Sequence, residues 1–499
     1  MAERLLLRNA RVRGVARPGD ILLEDGLIVG LPGDAADRVG TPTEVIDLEG
    51  RFVLPGLWDQ HVHFTQLSLM SRRLDVSAAS SAFEAATMVS ASLADAGAPA
   101  GPDTAAPGTI IGYGFRDGLW PDAPNSRLLD QATGGGDVVL ISGDLHCVWL
   151  STRAAANLGV EIDDSGLLRE GPAFAVQRAL DEVPEHVVDG WAADAAKRAA
   201  ARGVVGVVDL EMDWTLDTWR RRRAASFNSL RVRFGVYPQH VERAIAEGLR
   251  TGGRIDDLIE VGYLKVLIDG SLNTRTAYCF DPYAGDPDSG SGLLTVGPDD
   301  LERLLRTGRS GGLVPTVHAI GDRALGLALD VFERLGIGGR VEHAQLVGAD
   351  DVARFGRLGV VASVQPAHLL DDRDVADELW AGRTDRAFPL RSLLDAGASL
   401  ALGSDAPVSA LDPWQTIDAA VHRSRPGDQS WHPEQALTVE EALAASTDGR
   451  TRLQVGAPAD LAVVDDDPIE LQRIDPEFRL TGIPVAATLL AGRFTHRAL

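Results

Sequence analysis

Lysine is nearly missing from this chain. Of 48 basic residues only Lys197 and Lys265 are lysine, which leaves 46 arginines. Cysteine is as scarce, and Cys147 and Cys279 cannot build a disulfide framework. Each reads as a small buried residue. No run of 18 or more apolar residues occurs, which argues against a transmembrane helix. The first residues, Met1-Ala-Glu-Arg-Leu, lack a basic stretch followed by an apolar one, so no signal peptide is expected. Together these absences lead us to expect a cytoplasmic protein. Positive charge is also in deficit: 72 acidic residues give a net charge of -24. Such a surface repels nucleic acid and anionic membranes, so neither is an expected partner. A small molecule is expected instead, and a homodimer is compatible with the sequence.

At 499 residues the chain suits a large barrel with an accessory domain, or two to three domains. Its first fifty residues read as short strands and turns, with Glu24-Asp-Gly26 as a hairpin. Ala459–Asp465 and Val485–Arg493 read as strands at the far end. Neither end can close a core alone, so segments 1–51 and 454–499 are expected to share one β-sandwich. Between them strands alternate with helical stretches, the pattern of a parallel α/β architecture. Eight strands are expected at 52–61, 204–210, 231–237, 261–268, 313–318, 340–343, 359–365 and 399–405. Eight such units fit a TIM barrel over 52–453. About 140 residues separate the first two strands, where a β/α unit needs roughly 30. Residues 66–185 should therefore form an insertion of mixed structure, with strands at 109–113 and 137–142.

The polar residues at the strand ends form a pattern. His61 and His63, in Asp59-Gln-His-Val-His63, are two residues apart and so share a strand face. Alone, such a pair is weak evidence for a metal. Lys265 lies in the apolar strand Val261–Ile268, where a charged amine is costly unless paired or chemically changed. Arginine cannot replace lysine where a neutral amine must act as nucleophile, and Lys265 thus looks chemically required. A snorkelling lysine at a sheet edge is the alternative. His318 ends strand five, His343 strand six and Asp405 strand eight. In a TIM barrel these C-terminal strand ends converge.

The strings Leu-Pro-Gly-Leu-Trp-Asp-Gln-His-Val-His63, Lys265-Val-Leu-Ile-Asp-Gly-Ser, His318-Ala-Ile-Gly-Asp-Arg-Ala, Val341-Glu-His-Ala-Gln and Gly403-Ser-Asp-Ala-Pro resemble the metal-dependent amidohydrolase superfamily. Within it they are similar to the YtcJ-like branch, which includes N-substituted formamide deformylases. Gly456–Asp465 is similar to that family's closing sandwich motif. The chain departs from the pattern at Gln60, where the family usually carries a small residue; strand alternation points Gln60 away from the ligands.

The resemblance implies that His61, His63 and Asp405 hold one divalent ion, and His318 and His343 a second. Lys265 would react with CO₂ to give a carboxylated lysine that bridges both. Two zinc ions suit this donor set, with manganese, iron or cobalt as options. The metals would lower the pKa of a bridging water toward about 7. Asp405 would take its proton as hydroxide attacks a carbonyl, then deliver it to the leaving nitrogen. The activity implied is hydrolysis of a C–N bond in an amide, N-substituted formamide or cyclic amide. The alternatives are a lactone, carbamate or phosphoester hydrolase on the same centre, or a non-catalytic paralogue that binds a small molecule. Candidate substrate contacts are His146, Trp120, Arg275 and Gln365. Phe115 and Trp58 are further aromatic candidates, with core packing the default. Asp322 is expected to cap a helix. His186, His240, His368, His422, His432 and His496 complete no ligand pattern.

Overall fold

The structure, a computed structural model, describes residues 4–33, 44–95, 108–285 and 290–499. Eight parallel strands form its centre: β1 (Leu57–Val62), β2 (Val204–Asp209), β3 (Arg231–Val236), β4 (Ile259–Leu267), β5 (Pro315–Ala319), β6 (Gly339–His343), β7 (Val360–Val364) and β8 (Ser399–Leu402). Each strand pairs in parallel with the next. The circle closes just past β8. There the Asp405 N–H donates to His61 O at 2.7 Å and the His63 N–H donates to Ala406 O at 2.8 Å. The fold is a TIM barrel.

The strands are rich in valine and buried on both faces, as in Val-Val-Gly-Val-Val-Asp of β2, because helices cover the outside of the barrel. The helix Asp322–Leu335 shows how. It buries Leu325, Leu329 and Phe332, spaced four and three residues apart, which lines one stripe against the sheet. Gly336 ends the helix at φ +58°, a left-handed cap that glycine adopts without strain.

The first barrel strand starts later than the strand expected at 52–61. Phe52–Pro55 is a separate strand of the terminal sheet, antiparallel to Leu461–Val464 and paired at its start with Arg11 and Val12. The break falls at Gly56. Its N–H donates to Asp460 O, and a Cβ there would lie 2.4 Å from a methyl of Val205.

Strands from both ends of the chain build the small β-sandwich beside the barrel. Arg4–Val12 pairs with Gly19–Glu24 and Glu44–Asp47, while Val485–Leu490 extends the sheet from Leu461–Val464. Leu7 and Ile21 from one end and Val463 and Leu489 from the other are buried in one core. After β1 the chain enters a second sheet of five short strands, with Thr109–Phe115 and Asp137–Ser142 parallel at its centre. No helix among the described residues is long and apolar enough to cross a membrane.

Candidate metal centre

The C-terminal ends of the barrel strands surround a cavity of about 210 Å³. The barrel lines it with His61, His63, Lys265, His318, His343 and Asp405, and the insertion roofs it with Arg116, Asp144, His146 and Phe174. All six strand-end residues expected from the sequence therefore reach one space.

Asp405 is the hub. Its Oδ1 lies 3.3 Å from His61 Nε2 and 3.2 Å from His63 Nε2, and Lys265 Nζ lies 3.4 Å from His61 Nε2. The ring of His343 is 5.1 Å from that of His61 and 4.4 Å from that of His318, centre to centre. Asp405 and His343 both have a left-handed backbone, with φ of +56° and +72°. Non-glycine residues hold that geometry only where their surroundings enforce it, and such strain gathers at functional sites. Asp59 lies beside the turn that carries Asp405. Its carboxyl accepts from the N–H groups of His61 at 3.1 Å and Ser404 at 2.9 Å, which ties β1 to the turn after β8. Burial pushes the Asp59 carboxyl up to about 7, against the pull of its Ser404 hydrogen bonds.

Burial also sets the charge states within the cavity. Burial, helped by the charge of Lys265, pushes His61 down to about 4. His343 is lowered strongly by burial and by neighbouring His318. Both imidazoles are thus neutral and able to act as ligands. Burial alone would raise Asp405, but His61 and the other histidines around it hold its carboxyl well below the usual range. Lys265 is pushed down to about 8, burial outweighing the attraction of Glu342 and Asp405.

These residues fit a divalent ion. A neutral imidazole nitrogen facing an ionised carboxylate oxygen at about 3.3 Å needs a proton or a cation between them. Two groups of ligand atoms converge within 4.8 Å of one another: His61, His63 and Asp405, and His343, His368 and Asp405. The second group differs from the expected one. His318 Nε2 is turned to Gly270 O at 3.3 Å and Asp269 Oδ1 at 3.4 Å. His368, which the sequence reading set aside, sits on the short turn Pro366–His368 after β7. Its Nε2 is buried and meets no hydrogen-bond partner among the described residues, and the same is true of His343 Nδ1. The sequence did hold a signal for His368, namely its place three residues past a barrel strand.

The remaining candidates divide. His146 lines the cavity, and its Nδ1 lies 3.0 Å from Glu170 Oε2. Burial would lower this histidine, but the charge of Glu170 and its hydrogen bond raise it to about 9. Trp120 does not reach the cavity; it packs on Phe115 inside the insertion. Trp58 packs on Val205 and Leu490, away from the site, with the Arg233 guanidinium 4.5 Å from its ring centre. Arg275 donates to Gly118 O at 3.3 Å and is not part of the cavity wall. Gln365 lies behind the wall, its Nε2 3.2 Å from His61 Nδ1. Asp322 is not a cap: Gly321 holds that position, and the Asp322 carboxylate accepts from Phe280 N–H and Arg386. Sequence reasoning also missed Glu342, fully buried with Oε2 2.8 Å from His61 Nδ1.

The amidohydrolase family profile matches residues 44–496. The chain is 29% identical to the protein LONG AFTER FAR-RED 3 of Arabidopsis thaliana, over 89% of this chain and 79% of that one. It is 27% identical to the putative amidohydrolase YtcJ of Bacillus subtilis, over 95% of each chain. A third relative, the N-substituted formamide deformylase of Arthrobacter pascens, is 28% identical over 32% of this chain and 33% of that one. Among solved structures, an uncharacterized metal-dependent hydrolase from Pyrococcus horikoshii superposes with a TM-score of 0.76. It is 24% identical, over 93% of this chain and 98% of that chain, a likeness that speaks to the fold.

Proposed function

Because this chain belongs to the amidohydrolase family, we propose that it is a metal-dependent hydrolase cleaving a C–N bond in a small amide, N-substituted formamide or cyclic amide. One observation carries the metal part of this reading: His61 Nε2 and His63 Nε2 converge on Asp405 Oδ1 at 3.3 and 3.2 Å, at the mouth of a barrel. The C–N part rests on the local strings shared with the formamide deformylase branch and on the relative of that name.

In this reading His61, His63 and Asp405 hold one ion. His343 holds a second, with His318 and a carboxylated Lys265 by resemblance or with His368 by the arrangement of ligand atoms. The donors, neutral imidazoles and carboxylates, suit zinc. Bound there, the metal supplies Lewis-acid polarisation of a carbonyl and acidifies water.

The chain's own residues do the rest. Asp405, ionised across the working pH range, accepts a proton from the attacking water and passes it to the leaving nitrogen. His146, held by Glu170 on the cavity wall, directs its ring toward the substrate. Lys265 keeps a substantial neutral fraction near pH 8. Its Nζ forms an N–C bond to CO₂ and releases a proton, which turns a buried cation into an anionic oxygen donor. The insertion contributes Arg116, Asp144, His146 and Phe174 to the cavity wall, where they would meet the substrate. We place this reaction in the cytoplasm, with two buried free thiols in support.

The test is turnover by zinc-loaded protein on a panel of N-substituted formamides, cyclic amides, lactones, carbamates and phosphoesters. Chelator-sensitive C–N cleavage of a formamide or cyclic amide, read as released amine or as the ring-opened product, supports the reading. Lactone, carbamate or phosphoester turnover with no cleavage of a formamide or cyclic amide rejects it.

A further inference from the structure

Beneath the candidate centre lies a buried polar network that the proposed chemistry does not use. Glu342, Arg340 and Gln60 are 0%, 3% and 4% exposed. Arg340 Nε donates to Glu342 Oε1 at 3.1 Å, and Thr316 Oγ1 donates to the same oxygen. The Arg340 fork then reaches Gln60 Oε1 at 3.2 Å, Gln60 O at 2.9 Å and Ser363 Oγ at 2.6 Å. Gln60 Nε2 continues to Asp448 at 3.4 Å, itself clamped by Arg233. The arrangement leaves Glu342 Oε2 without a well-aligned hydrogen bond. The group nearest to supplying one is His61 Nδ1, at 2.8 Å.

A buried ion pair is weak evidence for stability, since hydrophobic residues of the same volume often stabilise as well or better. Arg340 and Glu342 therefore call for another reason to be there, and the oxygen facing His61 provides it. An ionised carboxylate only accepts hydrogen bonds. It selects the imidazole tautomer with the proton on Nδ1 and leaves the Nε2 lone pair facing Asp405 and Lys265. Carboxylates placed this way behind a metal-binding histidine fix its ring and raise its basicity.

Resting on the metal-centre reading above, we propose that Glu342, held in place by Arg340 and Gln60, is the positioning residue that fixes His61 as an Nε2 ligand. The network also gives Gln60 a role. It accepts from Arg340 through both its side-chain and backbone oxygens. One competitor exists. Gln365 Nε2 lies 3.2 Å from the same Nδ1 and its Oε1 is unpartnered, so the reversed amide would offer an acceptor there.

The experiment compares zinc affinity, measured by competition with a chromophoric chelator, in the wild-type chain and in Glu342→Gln, Gln365→Leu and Gln60→Ala. A ¹⁵N spectrum of the labelled imidazoles reports the His61 tautomer in the metal-free forms. Glu342→Gln is expected to weaken zinc binding about 10- to 100-fold and to shift His61 away from a pure Nδ1–H tautomer. Gln60→Ala, which removes one of the Arg340 acceptors and the bond to Asp448 but keeps the main-chain acceptor, should move both readouts the same way by less. Gln365→Leu should change them less than Glu342→Gln does. Wild-type zinc affinity and an unchanged His61 spectrum in folded Glu342→Gln would overturn the proposal, as would the larger effect falling on Gln365→Leu. Should Glu342→Gln not fold, a metal-free wild-type chain whose His61 carries its proton on Nε2 overturns it. A wild-type chain that takes up no zinc overturns the metal-centre reading itself, and this proposal with it.

Discussion

Lys265→Met should make the metal-free protein more stable while removing its metal-dependent activity. The lysine is 1% exposed, and its pKa is pushed from 10.5 to about 8. Each pKa unit corresponds to about 1.4 kcal/mol, so the ammonium costs the fold about 3 kcal/mol at pH 7. Methionine matches the lysine stem in length and carries no charge, and replacing buried charge by apolar volume commonly stabilises by about 1–4 kcal/mol. Unfolding entropy is about 2.1 cal/mol/K per residue. For 499 residues the gain then amounts to a rise in Tm of about 3 °C. The sign with pH follows from linkage. Above pH 8 the folded lysine is neutral, while the unfolded one stays charged up to 10.5. Wild-type stability therefore rises across that window, and the variant's advantage fades toward pH 10.5. The assay is differential scanning fluorimetry of chelator-treated protein in CO₂-free buffer, at pH 7 and at pH 10. Activity and zinc content of the metal-loaded forms are measured in parallel. A variant no more stable than wild type at pH 7, or one whose advantage persists at pH 10, refutes the argument about burial. Full activity and zinc content in Lys265→Met would refute the bridging role.

Three further outcomes are expected. Asp405→Asn, assayed at saturating zinc, should lower kcat/KM by about 10²- to 10⁴-fold, the usual worth of a positioned proton acceptor; near-wild-type kcat/KM would remove Asp405 from proton transfer. Glu170→Gln should bring the His146 titration down from about 9, as read by NMR. Because the raised His146 pKa adds stability that is complete below about 6.5 and fades as pH rises through about 9, the variant should also show a flatter stability profile across that range; an unchanged His146 titration would contradict the pairing. Chelator treatment should lower Tm and abolish turnover, and zinc at a thousand times its Kd should restore about 4 kcal/mol of stability; a Tm indifferent to zinc would argue against a resident ion.

The strand-end residues were legible because barrel topology leaves them little choice. Once eight β/α units are recognised, residues ending separate strands must face one rim, and His61, His63, His318, His343 and Asp405 are brought there. Lys265 stood out by a different route, as a lysine inside an apolar strand of a chain that otherwise uses arginine. The misreadings share a cause as well. The path of the insertion follows no periodicity, so nothing in sequence separated Trp120, which packs inward, from His146, which faces the cavity. Arg275 and Gln365 lie near the rim in sequence, but their partners, Gly118 O and His61 Nδ1, are contributed by distant segments. The run Phe52 to Trp58 reads as one apolar strand because two different sheets bury its two halves, and only Gly56 marks the border. Glu342 is adjacent to the candidate ligand His343 in sequence, yet the role proposed for it comes from meeting a histidine of β1 across the barrel.

The pairing of Phe52–Pro55 with Leu461–Val464 has a consequence for how the chain is made. At a synthesis rate of about 5–20 residues per second, the first segment of the sandwich waits roughly 20–80 s for its partner strand. During that interval the side of Phe52–Pro55 that will meet Leu461–Val464 is an open strand edge beside a barrel still being synthesised. The last strands to emerge, Val485–Leu490 among them, complete a core begun at the other end. A shortened chain lacking Leu461–Val464 and Val485–Leu490 would leave the outer edge of Phe52–Pro55 uncovered and the sandwich core open to pairing with another chain, even with every residue of the candidate centre still present.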